Sequence, residues 1–234
     1  MRVRAVLVLL TASLLGPTTL WAQERTLPEQ QQELWASFGL KGQLPAVFAD
    51  MIGEKARKRI RLGAELGYRS TDAFFAGRQV YLDLDMRYKV SKLVDIGIEQ
   101  RFAYLPDSKN RQRTGLKVMV SETFDRLTVG YRFSYQHNYR EWGEVREVFR
   151  NRFEAAYDIP KFQLDPEFSA EFFTWAGNQG WLYFGTRYQL GTTWSPTKGH
   201  DLGIALVHDR ERGVAWPVYR WIYSLSYSID LRKA

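Results

Sequence analysis

Residues 79–104 constrain this chain more than any other stretch. Taken in steps of two, Val80, Leu82, Leu84, Met86, Tyr88 and Val90 form one series, and Tyr81, Asp83, Asp85, Arg87 and Lys89 fill the gaps. After a turn at Ser91-Lys92 the pattern repeats, with Val94, Ile96, Ile98, Phe102 and Tyr104 alternating with Asp95, Gly97, Glu99 and Arg101. Successive side chains of a strand point to opposite faces, so this is a β-hairpin with one apolar and one charged face. A helix would spread those charges around its circumference. Each arm runs to about a dozen residues, against roughly 5–6 for an ordinary strand. A tilted strand crossing a bilayer needs roughly 9–11.

The same alternation recurs from Arg59 onward. Ile60, Leu62, Ala64, Leu66 and Tyr68 oppose Arg61, Gly63, Glu65 and Arg69, and comparable hairpins follow to a last strand over 218–231. Turns at Ser91-Lys92, Asp125-Arg126 and Pro160-Lys161, and a longer connection over 191–200, alternate with polar linkers at 70–77, 105–112, 138–145, 175–180 and 210–217. Short turns alternating with longer loops are the layout of an outer-membrane barrel. The expected fold is all-β: a transmembrane antiparallel up-and-down barrel over 59–234, with ten strands and twelve as the alternative count. An even count brings the first and last of these strands to the same side. Pro166 cannot donate to a ladder and predicts a bulge or strand end. Residues 23–58 read as a polar N-terminal segment with at most a short strand over 34–41 and a helix over 46–52.

Arg2 and Arg4, an apolar run over 5–15, Gly16-Pro17 and Trp21-Ala22 make a secretory signal peptide over 1–22. The run is too short to span a membrane, which takes about 20 residues. The expected location is therefore the outer membrane of a Gram-negative bacterium. The absence of cysteine excludes a disulfide framework and thiolate metal sites. The net charge of +7 is scattered along strands with both signs interspersed, which argues against nucleic acid as a partner. The partners expected are outer-membrane lipid and lipopolysaccharide, with the barrel-assembly machinery acting at insertion on a monomeric chain.

Periodicity alone does not say which face is inside. A soluble barrel would turn its aliphatic face inward around an apolar ligand; a membrane barrel reverses this. Glycines on the polar face, among them Gly63, Gly67, Gly97 and Gly130, make room in a crowded lumen. Tyr68, Tyr88, Tyr104, Tyr135, Tyr157, Tyr219 and Trp221 recur toward the ends of the apolar face, as interfacial girdles require. The charged face is therefore placed inside, as a network of Arg61, Glu65, Asp83, Asp85, Arg87, Asp95, Glu99, Arg101, Arg132, Arg150, Arg152, Glu154, Glu171 and Arg187. The whole polar face carries thirteen cations and twelve carboxylates. A lumen of this size is nearly filled by side chains, so the expectation is a near-neutral ion-pair network: a structural barrel or a narrow path for small polar solutes.

Enzyme chemistry is weakly indicated. Barrel phospholipases place histidine and serine on one strand face, with an amide nearby. Here Ser134 and His137 lie three apart and face opposite ways, His208 sits at a strand end and His200 in a turn. A lipid-modifying hydrolase built on His137 is the alternative function. Asp83/Asp85 and Asp95/Glu99 would suit acid–base work or calcium. Arg150/Arg152 would suit an anionic solute or a lipopolysaccharide phosphate. Opposite charges on the same face favour internal pairing in both cases, and no cofactor or metal is expected.

Several short patterns add a resemblance. Leu34-Trp35, the segment Tyr88-Lys89-Val90-Ser91-Lys92, Arg150-Asn151-Arg152-Phe153, the turn Tyr157-Asp158-Ile159-Pro160-Lys161, Leu164-Asp165-Pro166 with Glu171-Phe172, and Arg187-Tyr188-Gln189-Leu190 resemble a family of small outer-membrane barrels known only as a domain of unknown function. The resemblance covers 34–231 and implies the barrel but no activity. The segment over 42–58 is longer than the hairpin the family implies, and Arg232-Lys233-Ala234 replaces a terminal aromatic.

Overall fold

A chain of long two-faced strands satisfies its backbone by pairing, and closing the sheet leaves no open edge. The structure, a computed structural model, describes residues 27–72, 74–106, 108–139, 147–177 and 180–233. The expected signal peptide lies outside these. Eleven strands form one closed barrel: β1 (Glu29–Gln43), β2 (Ile60–Ser70), β3 (Gly77–Lys89), β4 (Val94–Tyr104), β5 (Arg111–Phe124), β6 (Leu127–Asn138), β7 (Glu147–Tyr157), β8 (Asp165–Gly177), β9 (Gly180–Thr197), β10 (His200–Glu211) and β11 (Val218–Asp230). Sequence neighbours pair antiparallel throughout. The cylinder closes through a parallel pair, β1 against β11, in register from Glu29↔Val218 to Lys41↔Asp230.

The count of ten, or twelve, is thus corrected to eleven. The extra strand is β1, so the barrel begins at Glu29 and not at Arg59. Gln30, Gln31 and Gln32 mask the alternation at its start, and its partner β11 lies at the other end of the chain, with no hairpin to announce it. An odd count also separates the ends of the strand array. Glu29 lies beside Val218, at the end carrying the loops over 71–76, 105–110 and 212–217. Asp230 lies at the opposite end, with the connections over 90–93, 125–126, 158–164 and 198–199. That turn end also carries the connection over 44–59, where a 3₁₀ turn (Ala46–Phe48) runs into α1 (Ala49–Ile52), and α2 (Glu54–Arg57) follows. Gly53, at φ 81°, is the break between them.

The connection expected over 191–200 is instead strand. β9 continues to Thr197 and turns at Lys198-Gly199, with Gly199 at φ 83°. Gly191 suggested a breaker but marks a close approach, because a Cβ there would meet Ala205 Cβ at 2.7 Å. Pro166 is the second residue of β8, at a strand end as expected.

The aliphatic series faces outward. Leu82 (39% exposed), Leu84 (44%) and Ile96 (44%) lie on the outer surface, and all eleven strands add to the same apolar belt. Arginines and carboxylates point inward. The glycines on that side make room as anticipated: a Cβ on Gly67 would overlap the Tyr81 ring, and one on Gly63 the Asp85 carboxylate. The start of β9 departs from the pattern. A bulge between Phe173 and Thr174 shifts the β8–β9 register, and Phe184, expected outside, lines the lumen instead.

Candidate functional site

The inward residues sort into three levels. At the loop end, β1 contributes Glu33, which is fully buried. It receives two hydrogen bonds from Arg78, at 2.7 and 2.8 Å, and lies 3.2 Å from Arg220. Arg220 also donates to Glu211 at 2.7 Å, and Trp35 Nε1 donates to Glu33 at 2.8 Å. This group is neutral: two carboxylates and two guanidiniums. Around it lie the apolar interior residues Tyr81, Ala103, Val148, Phe173, Val207 and Ile222, each near the loop end of its strand.

Below lie ion pairs of the charged face. Asp83 faces Arg101 directly across β3 and β4 and accepts from it at 2.6 Å. Glu99 takes both Arg113 and Lys117. Arg150 grips Glu171 with two hydrogen bonds, at 3.0 and 2.8 Å, while Arg132 at 3.6 Å and Arg187 at 4.0 Å share the same carboxylate. Arg187 also donates to Asp209 at 2.8 Å. Arg152 lies 2.6 Å from Glu154, and Tyr81 donates to Glu65 at 2.7 Å.

Arg69 differs from these. Its guanidinium stacks on Trp35 at 4.0 Å and on Tyr81 at 5.1 Å, and it forms no ion pair with a described carboxylate. Its Nε, like those of Arg113 and Arg187, is hidden from solvent without a hydrogen-bond acceptor.

At the turn end Asp85 pairs with Arg87 at 2.8 Å. Arg61 and Asp95 are the two expected network residues that form neither an ion pair nor a side-chain hydrogen bond among the described residues; their cross-strand neighbours are Arg87 and Lys89. Twelve of the fourteen expected residues therefore take part in ion pairs or hydrogen bonds within the lumen. Glu33, Arg78 and Glu211 went unrecognised, because each lay in or beside a stretch read as linker. The alternation of Glu33, Trp35, Ser37 and Gly39 was the available signal.

The lumen is not filled. A cavity of about 620 Å³ lies at mid-height, with Arg69, Arg101, Arg113, Lys117, Arg132, Arg150, Arg152 and Arg187 on its wall against Glu65 and Glu99. A second of about 230 Å³ lies toward the turn end, lined by Arg61, Asp85, Arg87 and Arg232. Ser37, Glu65 and Ser226 belong to the walls of both. The near-neutrality expected of the lumen fails locally, since the larger cavity concentrates the cations.

His137 lies on the outer face, where its Nδ1 is 2.6 Å from Glu147. Thr114, its cross-strand neighbour, donates to Gln100 at 2.5 Å and lies 3.0 Å from Tyr139 Oη. Among the described residues no serine or threonine hydroxyl hydrogen-bonds the His137 ring.

No curated protein matches the chain. Residues 18–215 match the model of a family described as protein of unknown function (DUF2490), and the chain belongs to that family.

Proposed function

We propose that this protein is a monomeric outer-membrane barrel whose lumen gives small polar solutes a narrow path. The observation that carries the reading is the inversion of the faces: a continuous aliphatic belt outside and a charged interior. Soluble monomers rarely expose apolar patches beyond a few hundred Å², and hydrocarbon covers such a belt at no desolvation cost. Strands of 11 to 18 residues meet or exceed the roughly 9–11 a tilted crossing needs. The two cavities beside β1, β2 and β11, which share Ser37, Glu65 and Ser226 in their walls, supply the path, with the neutral Glu33 group and the apolar residues narrowing it at the loop end. In this setting the end carrying the turns over 90–93, 125–126 and 198–199 faces the periplasm, the leader over 1–22 directs export, and outer-membrane lipid and lipopolysaccharide surround the belt.

The test is to express the chain with its leader, extract the membranes in detergent and compare boiled with unboiled samples by electrophoresis. A faster-migrating unboiled band and small conductance steps in a planar bilayer are expected. Recovery of the mature chain as a water-soluble monomer would overturn the reading.

A further inference from the structure

The charge on the larger cavity does not close. Its wall carries eight cations. Counting Glu65 and every described carboxylate that pairs with any of them (Asp83, Glu99, Glu154, Glu171 and Asp209) gives six anions, leaving two positive charges in excess. The sharing is visible in the geometry, because three guanidiniums divide Glu171 and two cations divide Glu99. Arg69 has aromatic rings in place of a carboxylate. Charge held inside a protein without a counter-charge is unfavourable, and these cations border open space.

We propose that this cavity is a binding site for a free dianionic oxyanion of the phosphate type, held by Arg69 and Arg132 among its wall residues. This rests on the inward orientation of the charged face and names the solute class for the path proposed above. A dianion cancels the excess. Guanidinium forks match its oxygens in pairs. A cavity of about 620 Å³ also falls in the range of small-molecule sites, roughly 300–1,000 Å³. The closed ring of strands keeps lipid headgroups out, so the ligand enters along the lumen as a solute. The Trp35 and Tyr81 rings pack against the Arg69 guanidinium, which is itself part of the cavity wall.

The experiment titrates millimolar sodium phosphate into the folded mature chain at constant ionic strength, by calorimetry and by thermal unfolding, with sodium chloride as the reference salt. Saturable binding of one phosphate is expected, strengthening as pH rises and phosphate loses its second proton, because the arginines stay charged throughout. Arg69→Gln or Arg132→Gln should weaken it about tenfold, the loss of one charged hydrogen-bonding partner. Arg69→Lys should retain part of it, and Lys92→Gln, in the exposed β3–β4 turn, should leave it unchanged. If Arg69→Gln does not fold, Arg132→Gln carries the comparison. A phosphate response no larger than that to chloride, or one that survives in the Arg69→Gln/Arg132→Gln double variant, overturns the site. If the chain runs as a heat-modifiable membrane barrel and ignores phosphate, the site fails and the barrel reading stands. If it stays soluble without detergent and binds phosphate, the reverse holds.

Discussion

Glu171→Gln removes the one carboxylate that three arginines share while leaving the side chain's volume almost intact. Glu171 is 2% exposed, bonded twice to Arg150 and within 4.0 Å of Arg132 and Arg187. The amide still accepts one hydrogen bond, but it no longer offsets charge, and the local excess grows from two to three. Deleting one partner of a buried ion pair costs ~3–5 kcal/mol, and a carboxylate serving three partners belongs at the upper end of that range. With a urea slope of roughly 2 kcal/mol per molar, the unfolding midpoint should fall by on the order of 2 M. The assay is urea unfolding of barrels refolded into lipid vesicles, followed by tryptophan emission and electrophoretic migration. Because the excess positive charge grows, phosphate should recover more stability in this variant than in the parent. A midpoint within about 0.5 M of the parent, at the same slope, would refute the picture of a shared buried carboxylate.

Four further outcomes are expected. Gly67→Val drives a side chain into the Tyr81 ring and separates Tyr81 from Glu65, which should lower stability by ~1–3 kcal/mol in the same assay. Lys161→Gly relieves a non-glycine residue at φ 62° in the β7–β8 connection and should raise stability by ~1 kcal/mol. In the helical connection, hydrogen bonds from Arg57 hold the Glu54 carboxyl down to about 2, against its ordinary 4.5. Its contribution is therefore complete above about pH 4.5 and fades as pH falls toward 2. Glu54→Gln should flatten the pH dependence of hydrogen exchange in residues 54–58 over that window. Finally, odd closure sets Glu29 and Asp230 at opposite ends of the barrel, so tags at the mature N-terminus and at the C-terminus should be accessible to protease from opposite sides of the membrane. Access to both from one side contradicts the parallel β1–β11 pair.

What could be read from the sequence was whatever repeats locally. Val80 to Lys89 and Val94 to Arg101 carry their faces in period two, so strand identity, hairpin pairing and the inward set around Asp83, Glu99 and Glu171 were legible. The seam was not. A parallel pair between the first and last strands leaves no local mark, and β1 opens on three glutamines that mimic a linker. Gly191 and Pro196 looked like a loop because their residue types break strands, whereas tertiary contact with Ala205 requires the glycine within one. The bulge at Phe173 flips Phe184 through an insertion that alternation counting does not register. Counting charges over one face predicted neutrality. Which arginines crowd the same carboxylate depends on the stagger between strands, and so the concentration of cations at the cavity appeared only in three dimensions.

The orientation of the aliphatic face against lipid is tested most directly by Leu84→Arg, near the middle of β3 and 44% exposed on the outer surface. Refolded into lipid vesicles, this variant should lose ~2–4 kcal/mol, the cost of an arginine at mid-bilayer. A change within about 0.5 kcal/mol, as for a water-facing surface position, would contradict the account.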